Sequence, residues 1–313
     1  MFGIYSLERA VAFASLKMVN RSPGTFNEKI KFKAAFDRRP ILKAFADKFE
    51  MRNYVRAVIG ESYLPNLYAW GSNLDELDFS ELPNEFVFKV NHGSGGVVIV
   101  WGESKSNQVL PGDLSNVSWS SYEVTPTSLN HLRLVALGKH WLDMDYYHYR
   151  GCNRMPEWAY KGMSRKFLIE EVLLEDSKTL ATDYKFHMFN GKCEFINVIR
   201  RNASNPFSGT RETTSDIFSS DWRPMPFELN GLPSSGLLIP QPKEFEEMID
   251  VSERLTGGID YLRVDLYSPA SKGVLVGELT NYPMAAQMKF DPSRLDIEFG
   301  QRLSLDTEQY SRF

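Results

Sequence analysis

The chain has little cysteine. Cys152 and Cys193 are its only two in 313 residues. They lack metal-ligand spacing, which excludes a disulfide framework and suits a reducing compartment with two free thiols. A long basic run is also missing: 36 lysines and arginines stand against 40 aspartates and glutamates, for a net charge of -4. A nucleic-acid surface is therefore not expected, and small-molecule or carbohydrate partners fit better. No apolar run is long enough to cross a bilayer. Near the N-terminus, Ala10 to Val19 is interrupted by Ser15 and Lys17 and does not read as a signal peptide. A helix packed on the body is expected there, with peripheral membrane association through the N-terminus as the alternative. Internal repeats and low-complexity tracts are absent.

What is present is a glycine cluster between two strand-like runs, "FVFKVNHGSGGVVIV" at 86–100. A P-loop would need a lysine and a hydroxyl residue after its last glycine, and here "VVIVW" follows. A dinucleotide fingerprint would need a further glycine at position 98, which is Val98, and then a helix. Strand, flexible glycine loop and strand remain: a hairpin whose N–H groups can cradle a phosphate without a helix dipole. Three glycines and a serine predict that something approaches this backbone closely. A mobile surface hairpin is the alternative.

Around it, apolar spacing from Asn27 to Ile59 predicts a helical lead-in broken at Pro40. The Ser-rich stretch 104–127 reads as an irregular insertion and poor ground for catalysis. Helical spacing returns in "SLNHLRLVALGKHWLDM". Strands then dominate, with "TDYKFHMFN" turning at Asn-Gly into "CEFINVIRR" as a hairpin. The amphipathic helix "PKEFEEMIDVSERLTGG" is stopped by its glycines.

The most informative segment is "LRVDLYSPASKGVLVGELT" at 262–280, two alternating strands joined by a loop. If the leucine faces pair, Asp265 and Glu278 share the other face, within roughly 8 Å at the Cβ level. Both are charged at neutral pH and repel. A cation between them removes the conflict, and all-oxygen ligation suits Mg²⁺ where Zn²⁺ would want His or Cys. Neutralisation by Arg263 as a structural ion pair is the alternative.

A strand lysine before a glycine hairpin, followed far downstream by an Asp strand and a Glu strand, resembles the ATP-grasp architecture. "TFNEKIKFKAAFDRRP", "DKFEMRNYV", "FVFKVNHGSGG", "IEEVL", "DYKFHMFNGK" and "RVDLY" with "GELTNYP" occur in the order of the TupA-like ATP-grasp family, from about Thr25 to Phe299. The chain departs from that pattern at the 105–127 insertion, at Asn281 in place of an aromatic, and at Thr280 where many ATP-grasp enzymes carry Asn. The resemblance implies an α+β fold in which two α+β subdomains clasp ATP behind a helical N-terminal lead-in. The expected divisions are a lead-in at 1–85, a smaller nucleotide-binding subdomain with the glycine flap at 86–172, and a larger metal- and phosphate-binding subdomain at 173–313.

The same resemblance implies ATP and Mg²⁺ as cofactors. Lys89 would contact phosphates, with His92, Ser94, Gly95 and Gly96 at the flap. Glu170, Glu171, Val172 and Leu173 would border adenine. Lys185 would reach phosphates or adenine and take part in catalysis. Asp265 and Glu278 would hold the metal, with Thr280 as the remaining candidate. Arg201 and Arg211, and more weakly Arg200, would grip an acceptor carboxylate or the transferred phosphoryl group. His92 and His187 are expected to support local structure rather than act as bases. The implied activity is carboxylate-amine ligation through an acyl phosphate, joining an amino acid to a uronic-acid or peptide component of a bacterial surface polysaccharide. An ATP-grasp phosphotransferase acting on a sugar or polysaccharide and a non-catalytic glycan-binding relative are the alternatives. Amine and carboxylate substrates, no nucleic acid and a cytoplasmic location complete the expectation.

Overall fold

The computed structural model describes residues 19–102, 104, 108–147, 157–176, 179–204, 211–269 and 271–310. The expected N-terminal helix and Cys152 lie outside the described residues. No helix among the described residues is long and apolar enough to cross a membrane.

The lead-in is helical, as its spacing predicts. Thr25 caps α1 (Phe26–Phe36): its hydroxyl accepts from the Glu28 N–H at 3.2 Å, and the Glu28 carboxylate accepts from the Thr25 N–H at 3.1 Å. Two helix-end donors are thus satisfied reciprocally. Pro40 separates α1 from α2 (Ile41–Ala46), and α3 (Glu50–Val58) follows.

Two five-stranded sheets follow. The first runs in the order β1 (Leu67–Gly71), β5 (Phe167–Glu170), β2 (Phe86–Val90), β3 (Val97–Val100), β4 (Ser121–Val124), antiparallel except for parallel β3 and β4. The alternating burial of β2 sends Phe86, Phe88 and Val90 inward against Leu134, Leu137 and Trp141 of α4 (His131–Asp143). A short pair, β6 (Leu174–Asp176) and β7 (Thr179–Leu180), leads to the second sheet. There the order is β10 (Arg211–Ser219), β9 (Lys192–Ser204), β8 (Asp183–Phe189), β12 (Tyr261–Tyr267), β13 (Leu275–Thr280), all antiparallel. Asn190 and Gly191, both at positive φ, make the predicted tight turn between β8 and β9. A second short pair joins β11 (Glu228–Leu229) to β14 (Phe290–Asp291). The predicted amphipathic helix is α5 (Phe245–Thr256); it packs on β8, β9 and β12 and ends at Gly257 in the left-handed region. Helices α6 (Leu295–Arg302) and α7 (Thr307–Tyr310) close the described chain.

Of the region expected at 1–85, the described residues from 19 onward contribute to both of these bodies. Strand β1 is the outer strand of the first sheet, whereas Phe26, Ile30, Leu42, Phe45 and Val55 of α1–α3 enter the core of the second. A short strand and three amphipathic helices each need a partner surface, and the two sheets supply different ones. The Ser-rich insertion likewise contributes β4, so it is not wholly irregular.

A buried ionic cluster fastens the lead-in to the second sheet. Lys33 lies 2.5 Å from Asp37 and 2.7 Å from Asp260, just ahead of β12, and Arg39 lies 2.5 Å from Asp37 and 3.0 Å from Asp260. Tyr310 of α7 donates to the other Asp260 oxygen. Burial would push the Asp260 carboxyl up, but Lys33, Tyr310 and Arg39 together hold it below the usual carboxylate range. Two cations therefore balance two anions inside the protein.

Removing one cation should strand a negative charge. Lys33→Met is expected to lower the unfolding free energy by about 3–5 kcal/mol in urea at neutral pH. Because the Asp260 pKa is depressed, its contribution is present above an ordinary Asp pKa near 4 and is lost as pH falls below it. Denaturation curves across that window should show the decline, and it should be smaller in the variant.

Candidate active site

A cleft of about 400 Å³ opens between the two sheets. From the first sheet it is lined by Val87, Lys89, Val97 and Ile99, with Ser94 and Gly95 above them from the glycine loop. From the second come Lys185, Arg201, Asp265 and Glu278. Glu170 to Leu173, the chain passing from β5 toward the second sheet, line the end between them.

In the carboxylate hairpin Asp265 and Glu278 share a face, as expected, but the register beyond them shifts by one residue. Asp265 pairs directly across from Glu278 on one side and from Lys185 on the other. The alternation is broken at Gly277, where a bulge pairs Leu266 with Val276 and returns Val276 to the core face. A Cβ on Gly277 would lie 2.4 Å from the Tyr267 ring, so only glycine lets that ring lie along the cleft wall. Strong neutralisation surrounds the acids. Arg263 grips Asp265 through two bonds of 2.6 and 2.7 Å, lies 3.4 Å from Glu278, and donates to the Thr280 hydroxyl at 3.0 Å. Lys185 bridges Asp265 at 2.6 Å and Asp183 at 2.7 Å. Burial would raise the Asp265 carboxyl, yet Arg263 and Lys185 hold it at about 2. Asp183, deeply buried with Oδ1 lacking a partner among the described residues, is instead raised by burial against the pull of Lys185.

Lys89 and Glu170, expected at phosphates and adenine, form an ion pair with each other. Arg52 of α3 holds the other Glu170 oxygen at 2.8 Å. The Glu170 side chain is thus occupied within the wall, while Glu171 pairs with Lys272 at 2.6 Å. Lys48, between α2 and α3, enters the same cleft. Its ammonium donates to the Gly93 carbonyl and stands 3.8 Å from Glu278, and burial lowers its pKa despite that carboxylate.

The close approach predicted for the glycine loop is made, in this structure, by the protein itself. A Cβ on Gly93 would meet the Trp119 ring at 2.6 Å, and one on Gly95 would meet the Trp119 carbonyl oxygen at 2.4 Å. Gly95 and Gly96 both have positive φ.

Of the remaining candidates, only Arg201 lines the cleft among the described residues. His92 is buried beside the cleft rather than lining it; its ring nitrogens lie 3.3 Å from Asn91 Oδ1 and 3.1 Å from the Met144 carbonyl. Burial lowers its pKa to about 4, so it is neutral at pH 7. Gly96 shapes the loop without lining the cleft, and Thr280 faces Arg263. His187, buried and bonded to the Tyr261 hydroxyl at 2.9 Å, is structural. Arg201 is exposed at the cleft, whereas half-buried Arg200 precedes it on β9 and is outside the cleft wall, with Nε and Nη2 unpaired among the described residues. Adjacent strand residues point to opposite faces. Arg211 begins β10, but its side chain lies outside the described residues. Sequence reasoning missed Lys48, Arg52, Asp183 and Trp119, and met Arg263 only as a neutralising base. Only "DKFEMR" held a signal, a lysine and an arginine four residues apart at the entry to a helix.

The donor set suits Mg²⁺: Asp265 and Glu278 are opposed, all-oxygen ligands beside three lysines. Among the described residues no group of three His, Cys, Asp or Glu converges as a metal cage. Mg²⁺ is ordinarily held by one or two carboxylates together with phosphate and water oxygens.

The profile of a family described as TupA-like ATPgrasp matches residues 28–304. No curated protein matches the chain. Among solved structures, the ATP-grasp ligase PsnB bound to a minimal precursor is 12% identical with a TM-score of 0.39, over 77% of this chain and 54% of that one. D-alanine–D-alanine ligase from Bacillus anthracis is 15% identical with a TM-score of 0.40, over 77% and 59%. N5-carboxyaminoimidazole ribonucleotide synthetase from Thermotoga maritima is 12% identical with a TM-score of 0.33, over 82% and 44%. The chain thus spans about half the length of the solved relatives it matches.

Gly95→Val tests the packing of the loop. A side chain there meets both an unfavourable φ and the Trp119 carbonyl, so a loss of at least about 2 kcal/mol in urea-unfolding stability is expected. Unchanged stability would show that the loop is not seated on Trp119.

Proposed function

This chain belongs to the TupA-like ATPgrasp family, and we propose that it is an ATP-dependent carboxylate-amine ligase working through an acyl phosphate. Its two α+β bodies form the ATP-grasp fold. The observation that carries the reading is the cleft itself, where Lys48, Lys89 and Lys185 stand beside the opposed Asp265 and Glu278. Phosphoryl transfer demands charge neutralisation and alignment more than a protein nucleophile, and this set supplies both.

In this reading the chain at 171–173 backs the adenine, the lysines neutralise the phosphates, and Ser94 with the loop backbone covers them. Asp265 and Glu278 would hold Mg²⁺, which supplies further neutralisation of the phosphate oxygens. Arg201, exposed at the cleft, grips the acceptor carboxylate through paired hydrogen bonds, with Arg211 kept as the second candidate by sequence alone. A carboxylate oxygen bonds to the γ-phosphorus as the bond to the β,γ-bridging oxygen breaks and ADP leaves. The amine nitrogen then bonds to the acyl carbon, phosphate departs, and the nitrogen's proton passes to solvent. An amino acid joined to a uronic-acid or peptide component of a bacterial surface polysaccharide is the substrate class we assign. The use of ATP and the buried free thiol of Cys193 fit the cytoplasm.

Asp265→Asn and Glu278→Gln are expected to retain the fold by circular dichroism and to lose at least about 100-fold in acceptor-dependent ADP formation. Full turnover in both would remove the metal assignment. An acceptor whose carboxylate is reduced to an alcohol should not be used. Stable phosphorylation of that alcohol at the native rate would make the protein a phosphotransferase, and absence of any Mg²⁺-dependent ATP binding would make it a non-catalytic relative.

A further inference from the structure

The glycine loop is seated on the segment 117–124, of which Ser121 lines the cleft while Trp119 does not. We infer that Trp119 is a positioning residue for the nucleotide phosphates: it sets where the 91–96 loop lies, and the loop moves together with residues 117–124. The inference rests on the ATP-binding reading of the cleft.

Four observations carry it. First, the loop leaves room for the Trp119 ring and carbonyl and for nothing larger than hydrogen, as the Gly93 and Gly95 contacts show; a Cβ on Gly96 would also lie 3.3 Å from the ring. Second, the loop is bonded to the same segment. The N–H groups of Gly96 and Val97 both donate to the Ser120 carbonyl, at 3.0 and 3.3 Å, and β3 continues in parallel register with β4. Third, the segment is anchored to α4 on its far side. The Trp141 indole donates to the Ser118 carbonyl at 2.9 Å, and His140 Nε2 lies 2.9 Å from the Val117 carbonyl. Fourth, the Trp119 ring is held edgewise by His92 and Tyr146, at centroid distances of 5.2 and 5.1 Å, while its own indole N–H has no partner among the described residues. Shape, rather than a hydrogen bond of its own, therefore fixes the indole.

A glycine loop would by itself sample many positions. With Trp119 beneath it, Ser94 and Gly95 face the cleft in one position, opposite Lys185 and Asp265. The entropy of ordering the loop is lost on folding instead of on binding, which is the usual gain from preorganisation.

The test measures exchange and nucleotide affinity rather than turnover. In Trp119→Ala, amide hydrogen exchange at 92–97 should rise at least about tenfold, and the Kd for Mg-ATP by calorimetry should rise by a similar factor. Trp119→Phe should recover most of both. In the wild type, Mg-ATP should protect 92–97 and 117–121 together. Unchanged exchange at 92–97 in the alanine variant, or protection of 92–97 alone, would overturn the proposal. Should the alanine variant not fold, the phenylalanine variant and the wild-type protection pattern decide. If the wild type binds no nucleotide, the ATP reading fails, while the exchange of the variants still reports whether Trp119 holds the loop.

Discussion

Two carboxylates facing one another across β12 and β13 repel at neutral pH, and the cleft is built around the charges that answer them. Positive and negative groups alternate across the second sheet: Asp183, Lys185, Asp265, Arg263, Glu278 and then Lys48, with contacts from 2.6 to 3.8 Å. The row ends at the Gly93 carbonyl, where Lys48 reaches the glycine loop. One electrostatic constraint therefore links the floor of the cleft to its cover. Arg263 and Lys185 already neutralise the acids that are assigned to Mg²⁺, so the two readings of those acids, ion pair and metal site, describe the same residues with different cationic partners.

The cleft walls need rigid backing, because ion pairs set 2.6 to 3.8 Å apart lose their geometry if the strands slide. The second sheet takes that backing from the lead-in helices through the Lys33, Asp37, Arg39 and Asp260 cluster, with Asp260 adjoining β12 itself. The first sheet takes it from α4, whose Trp141 is fully buried against Phe88 and at the same time holds the segment that carries Trp119. A chain portion that looked like an irregular insertion thus becomes part of the support of the glycine loop.

Much of this was determined locally by the sequence. Helical spacing placed α1–α5, the Asn-Gly turn placed the β8–β9 hairpin, and period-two alternation set Asp265 opposite Glu278, because each depends on neighbours in the chain and on a fixed geometric period. The order of short motifs from "TFNEKI" to "GELTNYP" carried the family. What only the tertiary structure decided depends on groups distant in sequence. Lys48 meets Glu278 and Lys33 meets Asp260 across more than two hundred positions, and Lys48 meets the Gly93 carbonyl across 45, separations that no strand or helix period relates. The bulge at Gly277 was hidden in an alternation that seemed unbroken, because a bulge is set by the Tyr267 ring across the pair. The glycines at 93 and 95 announced a close approach, but not its partner, which is Trp119 rather than a ligand in this structure. A glycine records that space is needed, and only the packed structure says what fills it.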